Sequence, residues 1–248
     1  MYNFKIKGGE HENDSNHRDQ LIRDMIYVCC LPHLSEKNRR EFIDVSISWS
    51  YSDRFENNIE KNAKYKGCPY WSEEALKRIN DKGNWAKGSE KDKGLRHEHI
   101  VPRKIFIDAM MVYFKNMRDR IKTFKDLETE SNKAFEKLKV LMDKNLKGCV
   151  VTKMEAEAID GKVKGEQGPG EYNSKMPDAA YKNGTVPKND WEKFSEITNP
   201  WARYETALAQ EKGIKIYELE WDVQNTHWKL QSKKVNISTK KCTPPMLQ

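Results

Sequence analysis

One stretch constrains this chain more than any other. From Pro102 to about Leu146 the apolar residues recur at helical spacing, led by Ile105, Phe106, Ala109, Met110 and Tyr113 on one face. Pro102 suits the first turn of a helix, and a break or kink is expected somewhere in 119–131. Short apolar segments bracket the run. Ile100-Val101 closes the segment before it, and GCVVT, residues 148–152, follows it as a candidate strand. Thr152 and Glu155 have capping-box spacing, so KMEAEAI, residues 153–159, should open another helix. The order is strand, helical insertion over about 103–147, strand, helix.

The rest of the chain is read around that unit. Residues 1–17 make a polar start. Arg18 to Pro32 carries Leu21, Ile22, Met25, Ile26, Cys29 and Cys30 at helical positions, and Pro32 ends the helix. Ser35 caps a short second helix. Phe42 to Tyr51 alternates well enough for a strand, and a helix fits it almost as well. Ser52 to Tyr65 is polar and helical in pattern. GCPYW, residues 67–71, reads as a turn, and Ser72 as the start of a helix through Ile79. Residues 80–94 are a charged loop with glycines at 83, 88 and 94. Residues 160–190 read as loop, Trp191 to Gln210 as helix in two pieces broken near Asn199-Pro200, and the end as a β-hairpin. The expected fold class is α+β, mostly helical, with the strand–strand–helix element embedded in it. Three regions follow: 1–80, mainly helical; 81–160, the embedded core with its insertion; and 161–248, loop, helix and hairpin. Together they are expected to form one compact unit.

Composition excludes several classes. Hydrophobic residues make up 37% of the 248 and charged residues 33%, and no apolar run approaches the ~20 residues of a membrane span. The first residues have no apolar core of a secretory signal. The five cysteines, at 29, 30, 68, 149 and 242, form no Cys-x-x-Cys pair, which disfavours a four-cysteine zinc site and suits a reducing cytoplasm. The formal charge is +7. Asp81 to Lys104 holds seven Lys/Arg against four Asp/Glu, and Val223 to Gln248 holds five lysines and no acid. Both segments are compatible with a phosphate-backbone partner, and solvated surface would account for them as well.

The chemistry concentrates in GLRHEHIVPRKIF, residues 94–106. Hydrolysing a phosphodiester needs an activated water and a cation to stabilise the charge that develops. A neutral imidazole accepts a proton from water near pH 7, and a carboxylate holds a hard divalent ion. Glu98 and His99 supply both, next to each other. Adjacent strand residues point to opposite faces, so the two share one site only if the strand bends or ends there.

Glu98-His99-Ile100-Val101-Pro102 resembles the first element of the HNH endonucleases, the ββα-metal nucleases. That resemblance implies a β-hairpin and helix clasping one Mg²⁺ or Mn²⁺, and cleavage of nucleic acid, with DNA as the expected substrate. It makes His99 the general base and Glu98 a metal ligand. The family places an Asn or His on its second strand and a His or Asn on its helix. No histidine occurs in 148–160 here, and Asn145, Glu155 and Glu157 are the ligands on offer. Glu155 is also the residue that would close the capping box. Phosphate contacts are expected from Arg96, His97, Arg103, Lys104, Lys153 and Arg203. Restriction or phage defence is the implied setting, with a partner protein possible there.

Other accounts of the motif stay open. The His-Glu-His run could be a satisfied charge cluster at a strand end, or two ligands of a zinc site. His97 and His99 could act as a metal-free acid–base pair on RNA. The chain could also be a non-enzymatic nucleic-acid-binding or assembly module with a degenerate site. In NPWARY, residues 199–204, the aromatics and Arg203 could stack on a base and hold phosphate, or pack in the core.

Overall fold

Helix α1 (Asp14–Cys30) buries Leu21, Ile22, Met25, Ile26 and Cys29 along one stripe and stops just short of Pro32. The computed structural model describes residues 14–52, 68–78, 94–163, 167–222 and 227–235. Ser35 caps α2 (Glu36–Glu41), its hydroxyl accepting the Asn38 N–H. The segment whose pattern was ambiguous is helical. Ile43, Ile47 and Tyr51, four residues apart, are fully buried, while Val45 is 61% exposed. Residues Phe42–Ser48 form a π-helical stretch that leads into α3 (Trp49–Ser52). The polar helix expected over Ser52–Tyr65 lies almost wholly outside the described residues.

The turn expected at GCPYW is corrected. Its last two residues open strand β1 (Tyr70–Ser72), all of it buried. Three residues are too few for a visible alternation, and Pro69 directly before them mimics a turn signal. Ser72 then caps the single turn α4 (Glu73–Leu76), shorter than the helix expected through Ile79. Strand β2 (Leu95–His99) follows, and Pro102 stands as the N-cap of α5 (Arg103–Arg120). The anticipated break falls at Ile121–Thr123. There Thr123 and Asp126 exchange both bonds of a capping box to start α6 (Phe124–Asn145). Strand β3 (Gly148–Thr152) and α7 (Lys153–Ile159) occupy the expected residues.

The long segment after α7 carries two short 3₁₀ turns, Asp178–Ala180 and Lys182–Gly184. The expected two-piece helix is fragmentary: α8 (Asp190–Ser195), a 3₁₀ turn Ala202–Glu205, and α9 (Ala207–Glu211). Strands β4 (Ile216–Asp222) and β5 (His227–Lys234) form the C-terminal hairpin.

The fold is α+β and mostly helical. Its strands form one mixed sheet, in the order β2-β3-β1-β4-β5. β3 runs antiparallel to β2 and parallel to β1, and β1 runs antiparallel to β4. The sheet thus joins strands from all three sequence regions. The main core lies between the helices and one sheet face, and includes Phe106, Phe114, Leu138, Cys149, Val151 and Tyr204. A small second cluster of Cys68, Trp71, Ala75, Leu95 and Val150 covers the other face. Arg39 Nε and Arg118 Nη1 both donate to the Cys29 carbonyl, tying α2 and α5 to the negative end of α1. No helix among the described residues is long and apolar enough to cross a membrane.

Candidate active site

The two strands that the helical insertion separates do meet. Leu95 pairs with Thr152, His97 with Val150, Glu98 with Cys149 and His99 with Gly148. α5 and α6 carry the chain from β2 to β3 and pack on α1 and α8 on the way, which is how a short antiparallel pair tolerates so long an insertion. α7 follows β3 without a gap. Its capping box is complete: Thr152 Oγ1 accepts from Glu155 N, and Glu155 Oε2 accepts from Thr152 N at 2.8 Å. Strand, strand and helix therefore stand in ββα order, at one edge of the sheet.

β2 keeps its alternation to the end. Leu95, His97 and His99 are buried, Arg96 is exposed and Glu98 is partly buried. The ladder continues past His99, since the Ile100 N–H donates to the Lys147 carbonyl at 3.0 Å. The register is unbroken through His99 and the bend comes after it, at Ile100 and Val101, so Glu98 and His99 look to opposite faces.

On the histidine face, the rings of His97 and His99 meet edge to face, with centroids 5.1 Å apart. Gly148, opposite His99, makes the room. A Cβ there would stand 2.6 Å from His97 Nε2 and 3.1 Å from Cys68 Sγ. Cys68 thus lies beside His97, a neighbour that no spacing in the sequence announces. Burial holds the His99 pKa well below the usual histidine value, and the proximity of His97, Arg103 and Arg203 lowers it further. The imidazole is neutral at physiological pH.

On the other face, Glu98 meets Arg203 and Asp160. Arg203 is 1% exposed. Its Nη1 donates to the His99 carbonyl at 2.8 Å, and its Nη2 pairs closely with Asp160 Oδ1 and lies 3.6 Å from Glu98 Oε2. Asp160 caps the C-terminal end of α7, so one guanidinium ties the end of β2 to the end of that helix. Burial pushes the Glu98 carboxyl up to about 7. Arg203 opposes the rise, and Asp160 adds to it. Burial also raises Asp160, again against Arg203.

The remaining expected residues disperse. Glu155 Oε2 takes the Thr152 N–H and the Ser72 hydroxyl, at 2.7 Å, so it is a cap that also ties α7 to β1. Asn145 is fully buried and donates through Nδ2 to the Phe194 carbonyl. Glu157 is half-buried on α7, its carbonyl accepting the Lys162 N–H. Arg96 and Lys153 are exposed at the opening end of β2. At the far end Arg103 pairs with Asp44 at 2.8 Å and Lys104 with Asp108 at 2.6 Å. Arg203, expected to face phosphate, is internal. Trp201 and Tyr204 pack edge to face beside it, which is the core reading of NPWARY. Most of the basic loop before β2 and the end of the lysine-rich tail lie outside the described residues.

A divalent ion needs several oxygen ligands converging on one point. Among the described residues, no group of three or more His, Cys, Asp or Glu side chains converges in that way. Of the four expected ligands, Glu155 is engaged as a cap, Asn145 faces α8, and Glu98 faces an arginine. In this arrangement the residues do not fit the ion. Comparison of the chain with protein-family models, with curated proteins and with solved structures finds no match.

Proposed function

We propose that the chain is a nuclease of the ββα type, hydrolysing phosphodiester bonds of nucleic acid, with DNA as the substrate. One observation carries this. The strand that ends in Glu98-His99 pairs along its whole length with β3, across a 45-residue insertion (103–147), and β3 runs straight into a capped helix packed back on both strands. In this proposal His99 is the general base. Its suppressed pKa leaves the imidazole neutral at physiological pH, the protonation state from which a general base acts. Arg96 and Lys153 offer charge to a backbone. The resemblance carries a requirement for Mg²⁺ or Mn²⁺, whose coordination sphere the described side chains do not gather.

The test is plasmid DNA incubated with purified protein and Mg²⁺ or Mn²⁺, beside His99→Ala. Wild type is expected to nick or linearise the plasmid, and the variant to be slower by on the order of 10²-fold. The proposal fails if wild type is inert on DNA and RNA with every common divalent ion, or if the variant cuts as fast.

The dispersal of the expected ligands favours a second reading, a nucleic-acid-binding or assembly module with a degenerate site. Salt-sensitive DNA binding with no cleavage, unchanged in Glu98→Ala, would select it.

A further inference from the structure

We infer that Arg203 is a resident cation. Its guanidinium holds the place between Glu98 and Asp160 that a carboxylate-bound metal ion would take, so a divalent ion enters only when Arg203 leaves. This rests on the reading of Glu98 as a site residue, and it names the group that stands at that site in the folded chain.

The geometry supports the occupancy from three sides. Nη2 contacts Asp160 directly and reaches Glu98 Oε2 at 3.6 Å, while Nη1 donates to the carbonyl of His99. The side chain of Arg203 is 2% exposed, and those of both carboxylates are 20% exposed, so the fork sits inside and the acids line its outer rim. A divalent ion arriving at Glu98 would meet a fixed positive charge in a poorly solvated place, where repulsion between like charges is strong. The carboxylate oxygens that would ligate it face N–H donors.

Removing the guanidinium would leave Glu98 and Asp160 as two hard oxygen donors without that counter-charge, the kind of pair that takes up a divalent cation.

The experiment is a calorimetric Mn²⁺ titration of the full chain: wild type, Arg203→Met, and Arg203→Met combined with Glu98→Gln, with folding checked by circular dichroism. Wild type is expected to bind weakly. Arg203→Met should bind on the order of tenfold more tightly, and Glu98→Gln should abolish the gain. Arg203→Lys covers the case in which Met does not fold, because a single ammonium cannot span three acceptors as the planar fork does. It should show a smaller gain. Wild type binding Mn²⁺ as tightly as Arg203→Met would overturn the inference. So would Arg203→Met, or Arg203→Lys where only that variant folds, binding no better than wild type. Mn²⁺ uptake is read without any cleavage, so a gain in uptake with an inert plasmid assay would sink the nuclease proposal and leave the resident cation standing.

Discussion

On one face of β2, Leu95, His97 and His99 lie beside Cys68, Trp71 and Val150; on the other, Glu98 meets Arg203 and Asp160. Residues adjacent in sequence thus belong to two different kinds of environment. On the histidine face shape is limiting: Leu95, Trp71 and Val150 pack there, and Gly148 stands where a larger residue would meet His97. The glutamate face is governed by charge, with a buried guanidinium compensated by two carboxylates. The first should fail when volume is added, and the second when a partner is removed.

The sharpest break of that contrast is Asp160→Ala. It leaves the Arg203 guanidinium buried with Glu98, 3.6 Å away, as its remaining carboxylate among the described residues. Breaking a buried ion pair from one side costs about 3–5 kcal/mol, and a urea denaturation curve reads it directly. A loss below about 1 kcal/mol would place the pair among exposed ones, which contribute little, and the contrast between the faces would collapse.

Next comes Gly148→Ala. The added methyl would stand 2.6 Å from His97 Nε2. That ring is buried in a central part of the ladder and cannot swing away freely, so overpacking should cost about 1–3 kcal/mol. The double variant Gly148→Ala/His97→Ala should recover part of the loss, because removing the ring removes the clash. Additive losses in that cycle would show that the histidine face is not limited by volume at this point.

How much of this was legible beforehand differs by element. GCVVT, the Thr152–Glu155 cap, the break within 119–131 and the C-terminal hairpin were readable because each is a local signal, carried by residues within a few positions of one another. β1 was not, since Tyr70–Ser72 becomes a strand only through partners at 149–150 and 216–218. The site divides in the same way. Glu98 and His99 announce themselves as a motif. Arg203 reaches the His99 carbonyl across 104 residues and Asp160 across 43, and Cys68 and His97 both crowd Gly148, on a third segment. Spacing cannot encode such meetings. The one local rule that did bear on the site was strand alternation, and it divides the Glu-His pair between the two faces.

A pH experiment separates the faces more finely. The folded state holds the Glu98 proton up to about 7, against an ordinary value of 4.5. Between those values the folded chain keeps a proton that the unfolded chain has released, so stability falls as pH rises through the window. The stabilisation is fully present below about 4.5 and lost above about 7, a swing of up to about 3 kcal/mol. Glu98→Gln cannot lose that proton. Its melting temperature relative to wild type should therefore rise between about pH 5 and about pH 8. A parallel pair of melting curves across that range would mean that Glu98 is solvated in the folded state, and the charge-governed face would reduce to Arg203 and Asp160.

The smallest effect on stability is expected at Arg96 and Lys153, and it decides from which side a nucleic acid would approach. Arg96 shares the face of Glu98 but is exposed, and Lys153 stands beside the same end of β2. Neither is in an ion pair among those described, so each alanine variant should stay within about 0.5 kcal/mol of wild type. Arg103 and Lys104, past the other end of the strand, are already paired with Asp44 and Asp108, so their charge is largely spent within the protein. If DNA approaches at the opening end of β2, Arg96→Ala and Lys153→Ala should weaken binding and each lower the salt dependence of log K by about one. Arg103→Ala and Lys104→Ala should change it less. The measurement is fluorescence anisotropy of a labelled duplex over a salt series. A larger slope change at Arg103 and Lys104 would move the approach to the start of α5, past the His99 end of the strand.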